Sequence, residues 1–163
     1  MKEALAAALR DLALVLDSLD SHDSLTTLLG MLRTRLEPLL AAHGLRFDWQ
    51  IMDDPIVPHA GPSSNLHLAR IVQEAITNVI KHAQASTITV YTDETRIVIS
   101  DDGVGIDPSA TDIAADGGHG LSGMRQRAAS MRAHFMIEGS DKGTSISLNF
   151  PTSDATGAPE SYA

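Results

Sequence analysis

One stretch, LARIVQEAITNVIKHAQAS over residues 68–86, constrains the chain more than any other. It reads as a single amphipathic helix. Val72, Ile76, Val79 and Ala83 recur at three- and four-residue steps, which keeps their side chains on one side of the helix. The same spacing aligns Glu74, Asn78 and Lys81 on another side, with His82 beside them. That side gathers a carboxylate, a neutral amide, an amine and an imidazole. Such a set suits a metal–phosphate ligand, because an amide oxygen can join a hard cation's shell and cationic groups can meet phosphate oxygens. Read alone, the same face fits an ordinary solvated helix surface equally well.

The rest of the chain supplies elements on both sides of this helix. Residues 1–19 carry an apolar stripe of Leu5, Ala8, Leu12, Val15 and Leu19, widened by Leu9 and Leu16, and read as a helix with a packing partner. DSHDS at 20–24 is a polar break rich in N-cap residues, and a second helix follows over residues 25–43 with Gly44 as its stop. Pro38 kinks that helix or ends it early. LRFDWQIM at 45–52 alternates like a strand, and the proline-rich residues 53–64 read as a loop. STITVYTD and TRIVISDDG form a hairpin turning at Asp93 and Glu94. Residues 103–120 read as a long functional or mobile loop and residues 121–133 as a helix. HFMIEGSD and GTSISLNF make a last strand pair, and the polar stretch after Pro151 is expected to be disordered. Strands clustered in the second half, with helices between two hairpins, predict an α+β fold built as a two-layer α/β sandwich.

Charge and composition narrow the function. Twelve basic residues against 21 acidic give a net charge of −9, which excludes a nucleic-acid backbone binder as the main role but leaves room for one nucleotide with magnesium. No cysteine is present, so neither a disulfide nor a thiolate metal site is available. No apolar run reaches membrane-spanning length and residues 1–16 do not read as a signal peptide, so a cytoplasmic domain is expected.

Three glycine motifs follow the central helix. DDGVGI at 101–106 ends a hydrophobic strand. Asp101 there can accept a hydrogen bond from an exocyclic amine such as adenine's, while Gly103 and Gly105 remove side chains where a planar base approaches. A plain Asp-Gly turn explains the motif as well. GGHGLSGMRQRA at 117–128 runs into a predicted helix, so its free backbone N–H groups can hold an anion; a flexible linker before a helix reads the same way. Gly143-Thr144 opens the last strand, as a ligand-bonding hydroxyl or as a simple hairpin turn.

In this order the segments resemble the Bergerat-type ATPases, also called the GHKL family, which includes histidine kinases, gyrase-type topoisomerases, heat-shock chaperones and mismatch-repair proteins. QEAITNVIKHA is similar to the family's N-box, DDGVGI to its first glycine box, GGHGLSGM to its second and Gly143-Thr144 to its closing element. The resemblance is greatest to sensor histidine kinases that pair with NarL-type response regulators. It implies a Bergerat fold that binds ATP and Mg2+. Asn78 would ligate the metal, Lys81 and His82 would lie near the phosphates, and Asp101 would bind the adenine amine with help from Thr144. Gly103 and Gly105 would line the base pocket. Gly118, Gly120 and Gly123 would shape a lid, and with His119 and Leu121 they would belong to the nucleotide-binding set. Glu74 would be the catalytic residue, as a base or by placing the metal's waters. Asp102 stands where many members have asparagine.

The resemblance also implies an acceptor histidine within a sequence like Glu-Leu-His-Asp on a dimerisation helix. The only His-Asp pair is His22-Asp23, in the polar break and too near Glu74 to leave room for a dimerisation hairpin. The expectation is therefore residues 1–44 as a helical remnant of the dimerisation region, 45–151 as the ATP-binding catalytic domain and 152–163 as a tail. The acceptor segment would be largely absent, a NarL-type regulator would act downstream, and any membrane would be met only through a parent protein. A stand-alone anti-sigma-type serine kinase of the same fold, or a degenerate nucleotide-binding module, is the alternative.

Overall fold

The computed structural model describes residues 25–58, 61–106 and 119–151. The expected first helix, the break with His22, Gly118 with most of the second glycine motif's approach, and the tail lie outside these residues. Helix α1 spans Leu25–Ala42 and buries Leu28, Leu29, Leu32, Leu36 and Leu40. Each such side chain contributes about 1.5–3 kcal/mol when removed from water. Pro38 sits inside α1, which runs on past it. Gly44 ends the helix with φ +73°, a left-handed conformation that costs glycine nothing, while Leu45 N–H returns to the Leu40 carbonyl at 2.9 Å.

Strand β1, Arg46–Ile51, leads through a pinned loop into α2, Pro62–Asn78. The helix therefore starts six residues before the apolar pattern begins at Leu68. Pro62 is the reason: proline at a helix's first position loses no hydrogen bond, since that N–H has no intrahelical partner. The helix then passes into a π-helical turn over Val79–Ala83, and Gln84 closes it at φ 51°. Next come β2, Thr87–Asp93, and β3, Arg96–Asp101, then α3, His119–Ser130, β4, His134–Ser140, and β5, Gly143–Asn149.

The strands form one sheet in the order β1-β2-β3-β5-β4. β1 pairs parallel with β2, with α2 as the crossover a parallel pair needs, and the other pairings are antiparallel. Ile88, Val90, Ile97, Ile99, Ile146 and Leu148 alternate onto the buried side. They share one core with the leucines of α1, with Leu68, Ile71, Val72 and Ile76 of α2, and with Met124 and Ala128 of α3. Thr89, Tyr91, Ser100 and Ser147 stand half-exposed at the alternate strand positions. One face covered by helices and one polar face make the expected α+β two-layer sandwich.

Candidate functional site

A cavity of about 350 Å3 lies between α2 and the buried face of the sheet, within the size range of small-ligand sites. Glu74, Asn78 and His82 give it a polar wall. Ile99, Ile137 and Ile146 give it an apolar floor, and Asp101 and Thr144 stand among them. Gly105 and Ile106 close one side, and Gly120 and Leu121 of α3's first turn close another.

Asp101 stands at the cavity with its carboxylate held from one side. It is the last residue of β3 and only partly buried. Its Oδ1 accepts the Gly103 N–H at 2.8 Å and, at a longer 3.4 Å, the Thr144 N–H. Two backbone donors fix the carboxylate's orientation. Its second oxygen has no hydrogen-bond partner among the described residues and is available to a ligand's N–H.

The helix wall differs from the pattern read off the sequence. In α-helical spacing Lys81 follows Asn78 around the face. The π turn's i→i+5 bonding widens the turn by about one residue, which keeps His82, four positions after Asn78, in line with it and turns Lys81 away. Lys81 is exposed and does not line the cavity. Asn78 lines it with no hydrogen-bond partner among the described residues. Glu74 packs against the start of α3: a Cβ on Gly120 would overlap its carboxylate. A negative group beside a helix N-terminus is electrostatically favourable.

Two glycines are not wall residues. Gly103 is buried under the π turn, where a Cβ would overlap the Ala83 carbonyl that also accepts the Val104 N–H at 2.8 Å. It fastens the loop to α2's end rather than lining a base pocket. Gly123 lies off the cavity, and a Cβ there would meet only the movable Arg127 guanidinium. Gly105, at φ +72°, does line the cavity in a conformation suited to glycine. His119 opens α3. The isoleucine floor was not singled out from the sequence, although period-two alternation puts Ile99 on the same sheet face as Asp101.

Asp102 is a fastening too. Its Oδ1 accepts the N–H groups of Ser86 and Thr87 at 2.7 and 2.8 Å, and its Oδ2 accepts the Ser86 hydroxyl at 2.6 Å. The Ser86 hydroxyl and the Thr87 N–H hold its pKa well below the usual carboxylate range, against a smaller opposing effect of burial. A depressed folded-state pKa adds stability that is complete above the unfolded value near 4 and is lost as pH falls below it. Asp102→Ala is therefore expected to cost about 1 kcal/mol at pH 7, below the usual range for hydrogen bonds to a charged group because solvent screens this exposed carboxylate. In urea unfolding the gap between the two chains should narrow as pH drops from 5 to 3; a gap independent of pH would show that the carboxylate's charge contributes nothing.

Among the described residues no three His, Asp or Glu side chains group as a metal site. The amide of Asn78 with the Glu74 carboxylate nearby instead suits magnesium, which keeps most of its waters and is held largely by substrate phosphates.

The model of the "Histidine kinase-, DNA gyrase B-, and HSP90-like ATPase" family matches residues 63–154. The signal transduction histidine-protein kinase/phosphatase UhpB of Salmonella typhimurium is 30% identical over 155 residues, covering 82% of this chain and 29% of that protein. The nitrate/nitrite sensor protein NarX of Escherichia coli is 28% identical over 126 residues, covering 73% of this chain and 21% of its own length. The chain thus spans less than a third of these relatives. In fold, it is similar to the histidine kinase domain of an Erythrobacter litoralis blue-light activated kinase, with a TM-score of 0.68 at 15% identity over 92% of this chain and 80% of that one. Full-length ShkA in complex with AMPPNP gives a TM-score of 0.65 at 22% identity, over 82% and 31%. UhpB and the Erythrobacter litoralis protein are histidine kinases by name, which sets aside the serine-kinase alternative.

Proposed function

Since the chain belongs to the histidine kinase-, DNA gyrase B- and HSP90-like ATPase family, and is the ATP-binding kind of domain that sensor histidine kinases carry, we propose that it brings the γ-phosphate of ATP to a histidine on a dimerisation segment. The observation that carries this reading is Asp101, with one oxygen held by backbone donors and the other without a partner among the described residues, in an isoleucine-floored cavity. That arrangement suits a flat base with an exocyclic amine. Asp101 would hold the amine, with Thr144 assisting, while Ile99, Ile137 and Ile146 exclude water from the ring. His82, with Lys81 further out, would face the phosphates. Asn78 would hold magnesium, which when bound neutralises charge on the phosphates. Glu74 would accept the acceptor histidine's proton or orient the metal's waters. The protein's contribution is orientation and electrostatics.

The wider assignment follows the same reading. Residues 45–151 would be the catalytic domain and residues 1–44 the approach from the dimerisation region. The likeness to NarX and UhpB supports a NarL-type response regulator downstream and a parent sensor whose kinase part is cytoplasmic. Among the described residues no helix is long and apolar enough to cross a membrane. The test is magnesium linkage. ATP affinity of the unsubstituted chain should rise when magnesium is added, and Asn78→Ala should lose most of that rise while still binding. Calorimetry showing the same magnesium dependence in both would make the Asn78 face structural.

A further inference from the structure

The loop that carries Asp101 is held on its far side by a contact whose other half, Gly139 and Ser140, lies outside the three glycine motifs. Gly105 and Gly139 face each other's neighbours: a Cβ on Gly105 would overlap the Ser140 carbonyl, and a Cβ on Gly139 would overlap the Ile106 carbonyl. Just beyond, a Cβ on Gly143 would overlap the Asp101 carbonyl. The loop over residues 101–106 therefore lies flat against the β4–β5 turn, backbone on backbone. Every overlapping atom is main chain, so no side-chain rotation relieves an added methyl; the loop or the turn has to move. Gly105 and Ile106 line the cavity, whereas Gly139 and Ser140 do not.

We propose that Gly139 is a positioning residue for the nucleotide site: with Gly105 it forms a reciprocal lock that sets the distance between the base loop and the β4–β5 turn. This rests on the ATP reading above. The lock fixes where Ile106 stands, and through five residues of loop it supports the orientation of Asp101. A side chain at 139 pushes the Ile106 backbone, which shifts one wall of the base pocket without touching the ligand. A displacement of this kind at a packed site affects the base and leaves the phosphate end untouched, so nucleotide and nucleoside suffer alike.

The test is calorimetric binding of ADP and of adenosine to the unsubstituted chain, to Gly139→Ala and to Gly139→Ala with Gly30→Ala. Gly30 is exposed in α1 with nothing within 4 Å of an added Cβ, so Gly30→Ala raises stability far from the site. Both ligands should bind Gly139→Ala at least tenfold more weakly, and the loss should persist when Gly30→Ala raises the thermal midpoint. Affinity that is unchanged, or that returns with stability, overturns the lock and assigns Gly139 a structural role only. If Gly139→Ala does not fold in either background, the unsubstituted chain decides. ADP should slow amide exchange at residues 140–142, outside the cavity, and exchange that ADP leaves unchanged overturns the proposal. An unsubstituted chain that binds neither ligand brings down the nucleotide reading itself, and with it the lock.

Discussion

Incubated with radiolabelled ATP, the chain should bind nucleotide yet incorporate no phosphate, and labelling should appear only when a dimerisation segment bearing an acceptor histidine is supplied. The sequence contains seven histidines, and none lies within a Glu-Leu-His-Asp sequence. His43 is tied by Nδ1 to the Leu39 carbonyl at 2.8 Å, His67 is half-buried in α2, and His82 belongs to the cavity wall. Phosphoryl transfer draws almost wholly on positioning and charge stabilisation. A pocket that orients the phosphate without a nucleophile in line therefore transfers nothing, and holding one in place is worth an effective concentration of about 10⁵ M or more. Label should rise from background to easily measured levels on the added segment's histidine, whether it is joined to this chain or separate. Acid-labile phosphate on His22 of the chain alone, lost in His22→Ala, would contradict this.

The architecture was largely legible because periodicity reports burial. The three- and four-residue steps of α2 and the alternation of β2 to β5 gave two layers and both hairpins, and the order of the glycine motifs pointed to the family. What was not legible depends on atoms distant in sequence. The early start of α2 was hidden because Pro62 looks like a breaker until its position as first helical residue is known. That Lys81 stands outside the cavity was hidden because a helical wheel assumes α spacing throughout, and nothing in VIKHA announces a π turn. Gly103 read as a pocket glycine, although its missing side chain makes room for the Ala83 carbonyl 20 positions earlier. Gly139 drew no attention, because an isolated glycine in a strand pattern does not reveal which backbone approaches it.

Asp101→Asn should lower ATP and ADP affinity by about 100-fold while leaving the fold intact. Wild-type Oδ1 accepts from Gly103 and Thr144, and Oδ2 remains for the ligand. Asparagine has one acceptor and one donor. If its oxygen keeps the backbone contacts, its NH₂ confronts the ligand's amine; if it turns, two backbone N–H groups lose their partner. Losing one hydrogen bond to a charged group costs about 1.5–3 kcal/mol, and 1.4 kcal/mol is tenfold in affinity. The substitution is close in size and changes no buried apolar contact, so the thermal midpoint should move little.

ATP and GTP present opposite groups to this carboxylate: the amine of adenine donates where the carbonyl of guanine accepts. An acceptor-only side chain discriminates strongly between them, because the wrong partner leaves two buried acceptors facing each other. Calorimetric titration of the unsubstituted chain with each, in magnesium, tests the central claim most directly. ATP should bind and GTP should bind at least about 100-fold more weakly; equal affinities, or no binding of ATP, would contradict an adenine site organised by Asp101.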